Sequence, residues 1–202
     1  MPRRPILILA ALVLLLAAGI GSYAWFNRAL HGPQGSGIAL VGGPFSLVDQ
    51  NGKRVTEKDF LGKYMLVFFG YTFCPDVCPT ELQVMSAALD QLGPEADRIQ
   101  PIFVSIDPAR DTPEVLKAYV ANFGPRLVGL TGTPEEVAAI AKAYRVFYAK
   151  AGNSSSTADY LMDHSSIIYL MGPDGRFLKH MAYTTDVAKL AAELKEMLRT
   201  SP

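Results

Sequence analysis

Runs of lysine and arginine are missing from this sequence, and so are internal repeats and long low-complexity tracts. The formal net charge is zero, with 19 basic and 19 acidic residues spread along the chain. Without a basic patch the chain lacks the electrostatic signature of nucleic-acid binding, so we expect no nucleic-acid partner. The absence of a repeat period excludes repeat architectures, and the length predicts one membrane segment and one ordinary domain.

Cysteine is also scarce, and both of the two cysteines lie in one stretch, GYTFCPDVCP (residues 70–79). An apolar run over 64–69 predicts a buried strand before it, and a helical pattern begins at Thr80. Two thiols at a strand-to-helix turn indicate chemistry rather than packing, because a helix N-terminus stabilises a thiolate. Thiolates serve as redox nucleophiles or as soft metal ligands, and the three intervening residues leave both uses open.

Histidine is the next scarce residue, and a metal site needs another ligand because two cysteines alone are an incomplete set. Of the three histidines, His31 lies in a predicted tether and His180 in a predicted strand, as a surface or core residue. A histidine at the start of a strand, such as His164, is often a structural residue, and this interpretation stays open. His164 is nevertheless the best candidate for the third ligand, since it follows a segment (150–159) whose small polar residues predict a mobile loop. Its neighbour Asp163 is predicted to orient the imidazole. Two thiolates and one imidazole suit Cu(I), whereas zinc and Cu(II) prefer a fourth ligand.

The N-terminal region contains an uncharged apolar run at positions 6–26. Its length matches the roughly 20 residues that a transmembrane helix needs, and Arg3 and Arg4 before it keep the N-terminus in the cytoplasm. A cleaved signal peptide is the alternative, because Ser22-Tyr23-Ala24 resembles a cleavage site. The predicted organisation is a cytoplasmic N-terminus (1–5), an uncleaved transmembrane anchor (6–26), a linker (27–39) and an exported domain (40–202).

Strand and helix patterns alternate along the domain after an N-terminal hairpin. The hairpin is predicted around Asn51-Gly52, because this pair tolerates the positive φ of a tight turn. The later elements are predicted as strands at 64–69, 99–106 and 127–130, helices at about 80–92, 114–123 and 133–145, a second hairpin at 165–183 and a last helix at 186–198. This order predicts an α/β fold with a central sheet covered by helices on both faces. Ligand sites in such folds lie beyond the carboxyl ends of the strands, where Cys74, Cys78 and Asp107 fall.

Three segments resemble the Sco/SenC family: the cysteine stretch (70–79), SIDPARDTP (105–113) and DHSSIIYL (163–170). The resemblance runs in order over roughly residues 40–198. It implies a thioredoxin-like fold with a mixed central sheet flanked by helices. It also implies that Cys74, Cys78 and His164 are copper ligands. The donor set suits Cu(I), and Cu(II) stays open as an alternative state.

The same resemblance implies a role in assembling the binuclear copper centre of cytochrome c oxidase subunit II. The protein is then expected to cross the inner (cytoplasmic) membrane once, with its domain facing the periplasm or the equivalent exported side. Its expected partners are subunit II, another periplasmic copper chaperone and a thiol reductant.

The competing class is an enzyme that uses the same two thiols. A thiol–disulfide oxidoreductase that keeps the oxidase cysteines reduced needs Cys74 and Cys78 but not His164. A thiol peroxidase of the same fold is disfavoured, because Pro75 stands where that family carries a hydroxyl group. A redox or copper sensor without a delivery role is a third class that the residues leave open.

An acidic turn after the strand at 99–106 has two interpretations of equal weight. Asp107, Arg110 and Asp111 form either a cluster that binds a partner or a turn that starts the next helix. In the second case, Thr112 or Asp111 caps that helix, with Pro113 at its first position.

Overall fold

The computed structural model describes residues 19, 21–23, 41–152, 160–183 and 186–200. The chain divides into two compact units, residues 1–39 and 40–202. The predicted anchor and linker lie outside the described residues, apart from Gly19 and residues 21–23. Within the described part of the chain, no helix has the length and apolar character needed to cross a membrane.

A mixed sheet forms the centre of the second unit. In chain order the strands are β1 (Ser46–Asp49), β2 (Arg54–Thr56), β3 (Tyr64–Gly70), β4 (Ile99–Ser105), β5 (Val128–Thr131), β6 (Tyr148–Lys150), β7 (Met162–His164), β8 (Ile167–Met171) and β9 (Phe177–Ala182). Seven of them form one sheet in the order β2-β1-β5-β4-β3-β8-β9, and β6 pairs with β7 in a separate sheet. Strands β3, β4 and β5 are parallel, whereas β1, β8 and β9 run antiparallel to their neighbours.

The first two strands pair antiparallel across a tight turn, with the Gly52 N–H donating to the Asp49 carbonyl at 2.9 Å. Gly52 has a φ of 79°, a conformation that glycine adopts without steric cost. The Asp49 carboxylate also accepts from the backbone of Asn51 and Lys53, which fixes the turn locally.

Four helices flank the sheet within the described residues: α1 (Val77–Leu92), α2 (Pro113–Val120), α3 (Pro134–Tyr144) and α4 (Val187–Thr200). Helices α2 and α3 both begin with proline after a threonine cap, as the sequence predicts. Thr112 accepts from the Val115 N–H, and Thr133 forms a capping box with Glu136. The cap of α2 is therefore Thr112 and not Asp111.

The core lies around β3, in which every residue from Tyr64 to Gly70 is buried. Buried residues of α1 pack into the same hydrophobic cluster: Leu82, Met85, Ala88, Leu89 and Leu92. Burial of these residues confirms the helical periodicity predicted for that segment. His180 is exposed and stacks on Phe177, which agrees with its prediction as a surface or core residue.

The small sheet of β6 and β7 is absent from the sequence prediction. Strand β6 ends at Lys150, so the loop that was predicted from Lys150 begins one residue later. Residues 153–159 of that loop lie outside the described residues. His164 is the last residue of β7, whereas the sequence predicts it directly before a strand starting at Ser165. The central strand β8 starts only at Ile167.

Candidate metal centre

The two cysteines lie where the central strand β3 gives way to helix α1. Cys74 is half-buried in the connecting loop, and Cys78 is fully buried in the first turn of α1. Asp76 occupies the N-cap position but makes no side-chain capping bond. The Cys78 N–H instead points to the Cys74 sulfur at 3.4 Å, so the sulfur accepts from a helix N-terminus. This environment stabilises negative charge on Cys74.

The protonation of the two thiols is coupled. A hydrogen bond from the Cys78 side chain, aided by one with His164, lowers the pKa of Cys74 well below its usual range, against the opposing effect of burial. The bond to Cys74 and the burial of its own sulfur raise the pKa of Cys78. The pair therefore rests with a thiolate on Cys74 and a thiol on Cys78, so the more accessible sulfur carries the negative charge.

Space for the Cys78 sulfur comes from Gly70, the last residue of β3. A Cβ atom at Gly70 would lie 2.7 Å from the Cys78 Sγ and 2.9 Å from the Phe103 Cε2. Both neighbours are fully buried. The position therefore excludes any side chain if the sulfur is to keep its place.

His164 brings an imidazole to the same point from the other side. Its Nε2 lies 3.4 Å from the Cys78 Sγ, and its Nδ1 lies 3.3 Å from the carbonyl oxygen of Ser165. The ring meets the rings of Phe68 and Tyr71 edge-on, with centroid distances of 6.1 and 6.0 Å. These contacts define the orientation of the imidazole.

Asp163 does not have the orienting role predicted for it. Successive residues of a strand point to opposite faces, and Asp163 is exposed while His164 is half-buried. The oxygen next to the His164 Nδ1 belongs to the Ser165 backbone instead.

The structure brings together all three predicted ligands. The sulfur atoms of Cys74 and Cys78 and a ring nitrogen of His164 all lie within 4.8 Å of one another. For ligand bonds of about 2.0–2.3 Å, a three-coordinate ion keeps its ligand atoms roughly 3.7 Å apart. The observed separations fit such an ion after small side-chain adjustments.

The acidic turn after β4 faces inward. Asp111 is fully buried and accepts hydrogen bonds from the Thr72 N–H at 3.1 Å, the Thr72 hydroxyl at 2.6 Å and the Ser105 hydroxyl at 2.6 Å. Burial outweighs these bonds and raises the pKa of Asp111. Asp107 is 4% exposed and binds the Arg110 guanidinium at 2.5 Å. The two carboxylates are thus internal groups rather than surface contacts for a partner.

Sequence reasoning missed Tyr71, Thr72 and Tyr160, which join this turn to the cysteine loop and to β7. The Tyr160 hydroxyl donates to Asp107 at 2.6 Å across 53 residues of sequence. A tertiary bond of this kind leaves no periodic signal in the chain. Thr72 lies inside the cysteine stretch, and this nearness to the thiols in sequence is the signal that could have identified it as part of the site.

A mixed sheet flanked by helices, with two thiols and an imidazole at one end of its central strand, defines a thioredoxin-like α/β protein with a metal-ligand set. The family model described as SCO1/SenC matches residues 33–199. The chain therefore belongs to the SCO1/SenC family.

Similar proteins extend this result. The human protein named SCO1 homolog, mitochondrial, is 46% identical over 165 residues, which are 81% of this chain and 54% of that protein. This chain spans about half the length of the curated relatives it matches. The crystal structure of Arabidopsis thaliana ScoI with copper bound is 43% identical, with a TM-score of 0.74, and the match covers 80% of this chain and 99% of that one.

A more distant structure is that of BsSco, a member of the Sco family of cytochrome c oxidase assembly proteins in which a disulfide switch was identified. It is 26% identical to this chain, with a TM-score of 0.63, and the match covers 81% of this chain and 96% of that one.

Proposed function

We propose that this protein is a copper metallochaperone that helps to assemble the binuclear copper centre of cytochrome c oxidase subunit II. The observation that carries the proposal is the convergence of Cys74, Cys78 and His164, whose ligand atoms lie within 4.8 Å of one another. Two relatives support it: the Arabidopsis ScoI structure contains copper, and BsSco belongs to a family of oxidase assembly proteins.

The chemistry of the donors favours copper over other metals. Thiolate is a soft ligand that selects Cu(I), and Cu(I) accepts three ligands. A structural zinc site takes four protein ligands. Within the described residues, no other group of three or more histidine, cysteine or acidic side chains is arranged to hold a metal. We propose Cu(I) as the main cargo, with Cu(II) as the second state.

The three ligands differ in accessibility, which suggests separate roles. Cys74 is half-buried and carries the negative charge, so it is the first sulfur that an incoming ion meets. Cys78 lies deeper and loses its proton as the ion binds, since only the thiolate is a ligand. His164 completes the set from β7, with its ring held by the edge contacts to Phe68 and Tyr71.

The proposed cellular setting follows from the charge and apolar patterns of the N-terminus. Residues 6–26 serve as a single anchor in the inner membrane, and residues 27–39 link it to a domain (40–202) on the exported side. From that position the domain receives copper from another exported chaperone and passes it to subunit II. A thiol reductant keeps its two cysteines reduced, because the exported compartment favours disulfides.

A second function, thiol–disulfide reduction, is favoured by the unequal thiols. The Cys74 thiolate attacks a disulfide of the partner, forming a mixed disulfide and releasing one partner thiolate. Cys78 then gives up its proton and attacks the Cys74 sulfur, which releases the second partner thiolate. The partner gains two electrons and this protein forms a Cys74–Cys78 disulfide, which the thiol reductant must reduce.

Copper binding by His164→Ala tests the first function against the second. We expect the full-length reduced protein to bind one Cu(I), and the variant to bind it about 100-fold more weakly or worse. Loss of a residue that only hydrogen-bonds to a metal ligand already lowers metal affinity about 10- to 100-fold. Disulfide exchange by the variant should be affected much less, because both thiols remain and the bond from Cys78 is the largest cause of the lowered pKa of Cys74. His180→Ala is the matched control, because His180 is exposed and stacked on Phe177. Equal Cu(I) affinity in wild type and His164→Ala, measured by competition with a chelator, would refute the proposed site.

A further inference from the structure

We propose that Tyr160, Asp107 and Arg110 are positioning residues that hold His164 at the correct distance from the two thiols. This inference rests on the proposed copper site, and it assigns a role to a cluster that contains none of the ligands. Tyr160 lies four residues before His164. At about 3.3 Å per residue of extended chain the two are roughly 13 Å apart along the backbone, so Tyr160 acts through the backbone of β7.

His164 needs such support because the strand that carries it lies outside the central sheet. Strands β6 and β7 have three residues each, and they form a sheet of their own that is separate from the central one. An isolated two-stranded ribbon is only marginally stable in water. The position of His164 therefore depends on the contacts that attach this small sheet to the rest of the domain.

Tyr160 provides several of these contacts. Its hydroxyl donates to the Asp107 Oδ1 at 2.6 Å, and its carbonyl oxygen accepts from the Arg110 Nη1 at 2.9 Å. The Arg110 guanidinium also lies 3.7 Å from the centroid of the Tyr160 ring, and the Lys150 ammonium of β6 lies 4.1 Å from it. Tyr160 is 5% exposed. Side chain and backbone are thus both fixed at the entry to β7.

The residues that bind Tyr160 are themselves hydrogen-bonded to each other and to the end of β4. Asp107 uses its second oxygen, Oδ2, to bind the Arg110 Nε at 2.5 Å, and its N–H donates to the Ser105 hydroxyl at the end of β4. Hydrogen bonds to charged partners are about twice as strong as neutral ones, and burial strengthens them further. The groups that bind Tyr160 are therefore attached to β4, a strand of the central sheet.

The same turn also holds the cysteine loop. Asp111 accepts two hydrogen bonds from Thr72, two residues before Cys74. One turn, residues 107–111, is thus bonded to the segment that carries the thiols and to the segment that carries the imidazole. Its geometry sets the distance between the two halves of the site.

A double-mutant cycle tests this role. We expect Tyr160→Phe, which removes one hydroxyl and keeps the ring, to weaken Cu(I) binding about 10-fold in the wild-type background, the lower end of what partners of ligands contribute. In the His164→Ala background the same change should have no effect, because its action passes through His164. Tyr64→Phe is the matched control. The buried hydroxyl of Tyr64 makes no hydrogen bond within the described residues, and Tyr64 lies at the start of β3, whereas the cysteine loop follows its end.

The outcomes separate this inference from the proposed function. If His164→Ala alone leaves Cu(I) affinity unchanged, the copper site itself fails and the positioning role fails with it. If His164→Ala weakens binding but Tyr160→Phe has no effect, or an equal effect in both backgrounds, only the positioning role is overturned. Arg110→Lys is a second variant that keeps the charge but loses the fork that binds Asp107 and the Tyr160 carbonyl together. Arg110→Lys should likewise weaken Cu(I) binding in the wild-type background and have no effect on it in the His164→Ala background.

Discussion

A methyl group at Gly70 should disturb the fold and the metal site together. Nonbonded carbon contacts have their optimum at about 3.5–4.0 Å. The Cβ of alanine would lie 2.7 Å from the Cys78 Sγ and 2.9 Å from the Phe103 Cε2, so both contacts are short by roughly 1 Å. Phe103 is fully buried within the core. The sulfur and the ring must therefore shift, or the strand must move.

The two consequences have different magnitudes. Overpacking of a core by a methyl group costs about 1–3 kcal/mol in the free energy of unfolding, and we expect the upper half of that range because both neighbours are fully buried. A binding site tolerates about 0.5 Å of displacement. A shift of the sulfur by more than that should weaken Cu(I) binding about 10-fold or more.

Urea unfolding of the apo protein and chelator competition for Cu(I) measure the two effects separately. Gly129→Ala is the control, because its Cβ would lie 2.9 Å from the Val120 Cγ1, in the packing between β5 and α2. It should lose stability and keep its Cu(I) affinity. If Gly70→Ala loses stability to the same degree as Gly129→Ala but keeps wild-type affinity, then Gly70 does not determine where the sulfur lies, and the reasoning is wrong.

Two further predictions concern residues outside the ligand set. Because burial raises the pKa of Asp111, its stabilising contribution is full below the unfolded pKa and is lost as pH rises through the folded one. The free energy of unfolding of the wild type, measured in urea and compared with that of Asp111→Asn, should therefore fall as the pH rises above about 4, the ordinary pKa of an unfolded aspartate; an increase would contradict the sign. Thr133→Ala removes the capping box of α3 and should cost about 1 kcal/mol, measured in urea, without changing Cu(I) affinity; a change in affinity would link α3 to the site.

Local signals were sufficient to make Cys74, Cys78 and His164 candidate ligands, whereas the complete ligand set was implied by the resemblance to the Sco/SenC family. With two cysteines and three histidines in the chain, few combinations existed, and a strand-to-helix turn favours thiolates. The caps of α2 and α3 were likewise predictable from the sequence. A threonine followed by proline and glutamate caps a helix through bonds that lie within its first turn.

Features that depend on tertiary contact could not be predicted. Three-residue strands such as β6 and β7 are too short to show an alternating hydrophobic pattern. The sequence therefore does not predict the small sheet that carries His164. The adjacency of Asp163 and His164 in sequence predicts that Asp163 orients the imidazole. In a strand, adjacency places two side chains on opposite faces, and the Ser165 carbonyl takes that place.

The two candidate functions differ in their need for His164: copper binding uses it as a ligand, whereas disulfide exchange uses the two thiols. The fold also holds the thiols and the imidazole in different ways. The thiols lie at the end of the central strand and the start of a 16-residue helix, and they are the only groups that change covalently in disulfide exchange. The imidazole comes from a three-residue strand that is attached through Tyr160 to the turn at 107–111. Reduction of a partner disulfide depends less on that attachment, because the bond from Cys78 is the largest cause of the lowered pKa of Cys74. A dense set of bonds that fixes the entry to β7 is instead what a site requires when a metal ion must find its third ligand already in place.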